Sequence, residues 1–227
     1  MPAHDKTVVL VTGCSKGGIG FSLCEAFASK GCVVYATARR LEAMEGFAQD
    51  NVHRLKLDVT DDESVKEVVQ TVMKREAPLI DVEIEEITRV FDTNVFAAIR
   101  TAKVVIPYMA SQKRGTIVNV GSVAGIIPSP WGGVYAASKA ALHSLTDSLY
   151  MECKPFNINI VLLAPGAVKS NIATNQAPHI NVPSDSLYQG YYEHILDRLT
   201  RVQENSPMPT EVYASKTVKA VLQTRPP

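Results

Sequence analysis

The 227-residue chain, 46% of it apolar, suits one globular domain spanning 1–227. Its 23 Lys and Arg balance its 23 Asp and Glu, so the basic excess that phosphate contacts require is missing, which argues against nucleic acid as a partner. The stretch Met1 to Thr7 carries no apolar signal segment, no Asn-x-Ser/Thr site occurs, and no apolar run approaches the ~18 residues of a membrane span, so a soluble or peripheral protein is expected. Cys14, Cys24, Cys32 and Cys153 show neither Cys-x-x-Cys spacing nor companion histidines at metal-site intervals. They read as buried, reduced thiols of an intracellular protein, and no metal is expected.

Strands and helices alternate along the chain. Thr7 to Thr12 (TVVLVT) is a short β-branched run without polar alternation, the pattern of a parallel strand buried on both faces. A glycine-rich turn leads into a helix from Ile19 to Lys30, stopped by Gly31. Cys32 to Thr37 (CVVYAT) is a second strand and Val52 to Leu57 (VHRLKL) a weaker third. The acidic start Thr60-Asp61-Asp62-Glu63 opens a helix running to about Arg75. Ile84 to Ser111 fits a long helix that Pro107 must end or kink. Thr116 to Val120 is a strand, Val134 to Lys154 a helix closed by Pro155, and Ile158 to Leu163 another strand. Glu211 to Gln223 reads as the last helix. Repeated β-α-β units imply an α/β fold with a doubly wound parallel sheet in three αβα layers, Rossmann-like, with right-handed crossovers.

Chemistry concentrates in two places. The first is the turn Thr12-Gly13-Cys14-Ser15-Lys16-Gly17-Gly18-Ile19-Gly20. Glycines between an apolar strand and a helix let the backbone approach a pyrophosphate at the positive helix end, although a glycine-rich connection without ligand is the bland alternative. Gly13, Ser15, Gly18, Ile19 and Gly20 are therefore cofactor-binding candidates. An acidic residue closing the second strand would suit the ribose 2′-hydroxyl of NAD, but Ala38 is followed by Arg39 and Arg40, which suit the 2′-phosphate of NADP. Arg40 also reads as a solvated helix-start residue; Arg39 is the favoured ligand.

The second place runs from Ser122 to Lys139. Tyr135 and Lys139 are four residues apart on one helix and share a face. An ammonium beside a phenol draws its pKa from about 10 toward neutrality, and Tyr135 reads as a general acid.

Taken together, Thr12-Gly13-x-x-x-x-Gly18-x-Gly20, Leu57-Asp58-Val59, Asn94, Ser122, Tyr135-x-x-x-Lys139 and Pro165-Gly166 occur in the order typical of short-chain dehydrogenases/reductases, which the chain resembles over nearly its whole length. The wording TGCSKGGIG, with Pro130 to Tyr135 and Pro165 to Asn171, is similar to the plant and fungal NADPH-dependent 1-acyldihydroxyacetone phosphate reductases of that superfamily; VYATARRL also resembles steroid and retinol dehydrogenases. The resemblance implies that Tyr135 protonates a carbonyl oxygen that Ser122 hydrogen-bonds. It further implies that Lys139 binds the nicotinamide ribose and that Asn94 holds a water linking Lys139 to solvent. Asp58 and Val59 would meet the adenine, and Val168 and Ser170 the nicotinamide carboxamide and pyrophosphate region. Each has a bland reading beside it: Ser122 as a strand-end turn, Asp58 as a cap, Asn94 satisfying a backbone group. A lipid ketone substrate, a homo-oligomer, peripheral membrane contact and a place on the cytoplasmic side of the endoplasmic reticulum or lipid droplets come with the same resemblance.

The chain departs from the family pattern in one respect. Lys74-Arg75-Glu76-Ala77-Pro78 runs almost directly into Leu79-Ile80-Asp81-Val82, where the family places its fourth strand and an Asn-Asn-Ala-Gly turn. In a 3-2-1-4-5-6 order that strand is central, and several unpartnered backbone groups at about 1–3 kcal/mol each weigh heavily against a stability of only about 5–15 kcal/mol. A very short strand at Leu79 to Val82 is one possibility; Pro78 and the acidic run after it favour a turn and helix start. The family's C-terminal strand is expected to be missing too. Ser186 to Asn205, with Leu187, Tyr191, Ile195 and Leu199 at helical spacing, reads either as an acyl-chain lid or as core packing. Two functions stay open: an NADPH-dependent lipid ketone reductase, and a shortened form that keeps the motifs without building the nucleotide pocket.

Overall fold

A computed structural model describes residues 6–58, 77–169, 182–204 and 206–223, with backbone alone over 199–204. In chain order these form β1 (Val8–Thr12), α1 (Ile19–Ala28), β2 (Val33–Ala38), β3 (Val52–Lys56), α2 (Ile84–Phe91), α3 (Ala97–Ser111), β4 (Gly115–Val120), α4 (Gly133–Cys153), β5 (Ile158–Leu163), α5 (Tyr192–Glu204) and α6 (Thr210–Val221). The fold is α/β with parallel strands throughout. The helix expected over Thr60 to Arg75 lies outside the described residues.

Two compact units divide the chain. The first holds β1, β2 and β3 with β2 in the middle, Val9 opposite Val34 and Val34 opposite Val52. Side chains alternate across a strand, so Val9 and Val11 share a face with Val34, Ala36 and Ala38. On that face sit Leu23, Cys24 and Phe27 of α1 and Ala214 and Val218 of α6. The opposite face of β1 is open: Val8 is 64% and Leu10 49% exposed. The expectation that β1 is buried on both faces is thus corrected, because both described helices of this unit pack on the Val9 side. Helix α1 ends two residues earlier than Lys30, and Gly31 turns the chain at φ +80°. Asn51 then ties the helix end to the next strand, donating through Nδ2 to the carbonyls of Ala28 (2.9 Å) and Cys32 (2.8 Å).

The second unit is organised on β4 and β5, paired from Gly115 opposite Ile158 to Val120 opposite Leu163. Ile106 and Met109 of α3 and Leu149 and Cys153 of α4 pack with Ile117, Ile158 and Ile160. Pro107 does not end the long helix, which runs on to Ser111. Proline removes one backbone hydrogen bond, and the packing of Ile106, Met109 and Ala110 on either side of it holds the turn in place. The irregularity falls earlier, where Asp92–Phe96 forms a π-helical segment between α2 and α3.

Leu79–Asp81 is a 3₁₀ turn and not a strand. Among the described residues β1 pairs only with β2 and β4 only with β5, so two sheets stand where the family pattern has one. No strand follows α6 among the described residues either. On the expected lid helix, Ile195 is fully buried with Val182, Trp131 and Tyr192, which answers to core packing. Leu187 and Tyr191 are exposed and precede α5, while the side chain of Leu199 lies outside the described residues.

Asn51→Ala removes both of these bonds, leaving the Ala28 carbonyl with only the Gly31 amide as donor (2.9 Å), and a loss of about 1–3 kcal/mol is expected in urea unfolding. An unchanged midpoint would show that the Asn51 clamp contributes nothing.

Candidate active site

In the first unit the glycine-rich turn folds tightly back on α1. Gly13 and Gly17 have φ of +74° and +77°, a region glycine enters without penalty. A Cβ at Gly20 would lie 2.5 Å from the Gly13 carbonyl oxygen, so the helix sits against the turn only because residue 20 is glycine. The Gly18 amide donates to the Ser15 carbonyl (3.0 Å), and Ile19 opens α1 without a side-chain cap. Gly13, Ser15, Lys16 and Gly17 are exposed. The turn therefore presents an uncapped helix start and backbone donors to an incoming anion.

Arg39 stands directly after β2, half-buried, with its Nη1 shielded from solvent and, among the described residues, no hydrogen-bond partner for that atom. A buried guanidinium nitrogen left in this state is costly, and a phosphate oxygen would satisfy it. Arg40 is exposed, in keeping with its solvated reading. Asp58 is half-buried just beyond β3, and Leu57 continues the ladder by donating to the Ala38 carbonyl (3.0 Å). Val168 is buried and bridges Met208. Val59 and Ser170 lie outside the described residues. Lys16, which the sequence reading passed over, brings a further cation to the turn; its place between Ser15 and Gly17 was the available signal. The residues present fit a dinucleotide carrying a 2′-phosphate.

In the second unit α4 carries Tyr135 and Lys139 on successive turns. The Lys139 ammonium lies 5.8 Å from the Tyr135 ring centre and donates to the Val120 carbonyl at the end of β4 (2.9 Å). Ser122 follows β4 by two residues and is buried. Its Oγ accepts from the Ala124 amide (3.2 Å), so the strand-end turn reading holds for one lone pair. The hydroxyl proton is a separate donor and can serve a carbonyl oxygen. Asn94 lies in the π-helical segment and donates through Nδ2 to Ser138 Oγ (3.0 Å); fully buried Ser138 donates in turn to the Tyr135 carbonyl (2.8 Å). Asn94 is therefore tied to the helical turn that carries Tyr135. The sequence reading missed His143, whose Nε2 accepts from the Ser122 amide (3.2 Å). Its signal was its place one turn beyond Lys139 on the same helix.

The fold and these motifs define an oxidoreductase of the nicotinamide class, and comparison with known proteins gives the family. Residues 7–181 match the short chain dehydrogenase family model. The chain is 35% identical over 215 residues to an NADPH-dependent 1-acyldihydroxyacetone phosphate reductase of Schizosaccharomyces pombe, covering 86% of this chain and 72% of that protein. It is 32% identical over 251 residues to the Saccharomyces cerevisiae reductase of the same name, covering 100% and 82%. In structure it resembles a short-chain dehydrogenase from Streptomyces avermitilis, with a TM-score of 0.78 at 24% identity over 99% of this chain and 87% of that one. The protein belongs to the short-chain dehydrogenase family.

Arg39→Ala should weaken a 2′-phosphorylated adenine dinucleotide by about 10- to 150-fold, because a charge-assisted hydrogen bond contributes ~1.5–3 kcal/mol. The dinucleotide with a free 2′-hydroxyl should bind unchanged. Equal losses for both in a fluorescence titration would remove Arg39 from the 2′-phosphate.

Proposed function

We propose that the protein is an NADPH-dependent reductase that converts the ketone of 1-acyldihydroxyacetone phosphate to the secondary alcohol of 1-acylglycerol 3-phosphate. The observation that carries this reading is the likeness to two yeast reductases of that name along 86% and 100% of this chain. The uncapped turn at Gly13 to Gly20 and the buried Arg39 donor support the choice of cofactor.

NADPH, when bound, supplies the hydride that the carbonyl carbon receives. Tyr135 gives its phenolic proton to the carbonyl oxygen, so one hydride and one proton together turn the ketone into an alcohol. The Ser122 hydroxyl donates to the same oxygen and fixes its position as charge builds there. Lys139, anchored on Val120, keeps a positive charge beside Tyr135 and contributes a ribose contact. Asn94, through Ser138, holds the turn on which Tyr135 sits, and in the proposed reaction it also holds a water that links Lys139 to solvent for reprotonation. Gly13, Ser15, Gly18, Ile19 and Gly20 hold the pyrophosphate, Arg39 the 2′-phosphate and Asp58 the adenine, with Val168 on the nicotinamide side.

A substrate with one acyl chain and a phosphate concentrates at lipid surfaces, so peripheral contact on the cytoplasmic side of the endoplasmic reticulum or lipid droplets belongs to the proposal. No helix of the described residues is long and apolar enough to cross a membrane. Exposed Val104 and Tyr108 on α3, and Tyr150 and Met151 on α4, suit self-association. The separation of the described strands into two sheets favours a second reading, a shortened form without turnover.

NADPH oxidation by the purified protein with 1-palmitoyldihydroxyacetone phosphate decides between them. Formation of the acylglycerol phosphate by mass spectrometry is expected, and Tyr135→Phe should lower kcat at least ~100-fold while NADPH still binds. Turnover of steroid or retinoid ketones alone would replace the substrate; no turnover of any ketone would leave the second reading.

A further inference from the structure

We infer that His143 is a positioning residue for the reaction: as a neutral imidazole it holds the backbone of Ser122, and with it the serine hydroxyl, against α4. The inference rests on the reading of Ser122 as the group that hydrogen-bonds the substrate carbonyl.

Alternate amides of a strand point to opposite edges. The amides of Gly121 and Val123 donate toward β5, to the carbonyls of Leu163 (2.7 Å) and Pro165 (3.0 Å). The Ser122 amide therefore faces away from β5, and its acceptor is His143 Nε2 at 3.2 Å. Lys139 and His143, one helical turn apart, thus bond the two sides of Gly121: Lys139 takes the Val120 carbonyl and His143 the Ser122 amide. The imidazole fills the space that side chains on the strand end would need. A Cβ at Gly121 would lie 2.2 Å from His143 Nε2, and one at Gly125 would lie 2.8 Å from its Cε1.

Only a deprotonated Nε2 can accept, so the proton of the neutral ring is on Nδ1. Burial holds His143 below the ordinary imidazole range, the Lys139 charge acts in the same direction, and Asp147 on the same helix opposes them. At the strand end and in the turn beyond it, Gly121, Ser122 and Gly125 approach the ring, and none of them is ionisable. The native value lies below the unfolded one, so the unfolded chain takes up the proton first as pH falls below ~6.5. The stabilising contribution is complete above that point and is lost on acidification toward the native value, together with the bond to Ser122.

Nitrogen-detected NMR of the wild-type histidines, with kcat–pH profiles of wild type, His143→Leu, His143→Gln and Ser122→Ala on 1-palmitoyldihydroxyacetone phosphate, tests the inference. At about pH 7 the His143 signal is expected from a neutral ring protonated on Nδ1; an Nε2-protonated ring or an imidazolium would overturn the inference even if no variant folds. His143→Leu should lower kcat about tenfold, the scale of one lost hydrogen bond, with the KM for NADPH unmoved. His143→Gln, which keeps an acceptor, should recover most of that kcat and lose the acid limb that wild type shows below ~6.5. Wild-type kcat in His143→Leu, or an unchanged acid limb in His143→Gln, overturns the inference while loss of turnover in Ser122→Ala leaves the site reading intact. Full turnover in Ser122→Ala overturns both.

Discussion

Gly121 and Gly125 allow the end of β4 to run directly onto α4, and the reacting groups of the proposed site depend on that approach. A Cβ at Gly125 would lie 2.9 Å from the Lys139 carbonyl carbon and 3.0 Å from the Ala140 amide, closer than packed atoms come. With no side chain there, Lys139 reaches Val120, His143 reaches Ser122, and the turn after Ser122 closes over its own hydroxyl. Behind this contact the pairing of Gly121 with Leu163 and of Val123 with Pro165 carries the β4–β5 ladder past its formal end. Asn94 and Ser138 add a second tie to the same helix. Ser122, Tyr135 and Lys139 thus lie in one unit, with Lys139 anchored at the end of β4 and 5.8 Å from the Tyr135 ring centre.

The glycine-rich turn depends on the same device in the other unit. Gly20 sits against the Gly13 carbonyl, and the positive φ of Gly13 and Gly17 lets the chain double back on the start of α1. The strand that leads into this turn is held by β2 on one edge and by α1 and α6 on one face. Its other face leaves Val8 and Leu10 exposed.

Much of this was legible because local chemistry and fold agree. A strand buried in a parallel sheet shows as an unbroken β-branched run, and Ile158–Leu163 matches its sequence reading residue for residue. The Tyr135 and Lys139 pairing follows from helical geometry alone. Of the two outcomes expected at Pro107, the helix does not end there, because one missing hydrogen bond is outweighed by the apolar packing beside it, a long-range term that no local pattern carries. An apolar run likewise does not say which face the chain will cover, hence the open side of β1. Leu187 and Tyr191 keep the spacing of a helix that begins only at Tyr192, so of the four stripe residues Ile195 is the one seen in the core. For His143 the sequence showed only its place one turn beyond Lys139, because its partner is a backbone amide, which no motif marks. The shortened interval led to the expectation that the family's fourth strand is missing, and among the described residues a 3₁₀ turn at Leu79–Asp81 stands there.

Whether a chain whose described strands form two sheets holds its cofactor is the point on which the account stands. Calorimetric titration of the folded wild-type protein with NADPH and with NADH measures it directly. The account predicts saturable one-to-one binding of NADPH, tighter than NADH by at least about tenfold for one charge-assisted contact to the 2′-phosphate. Absence of saturable binding, or a preference for NADH, would contradict it.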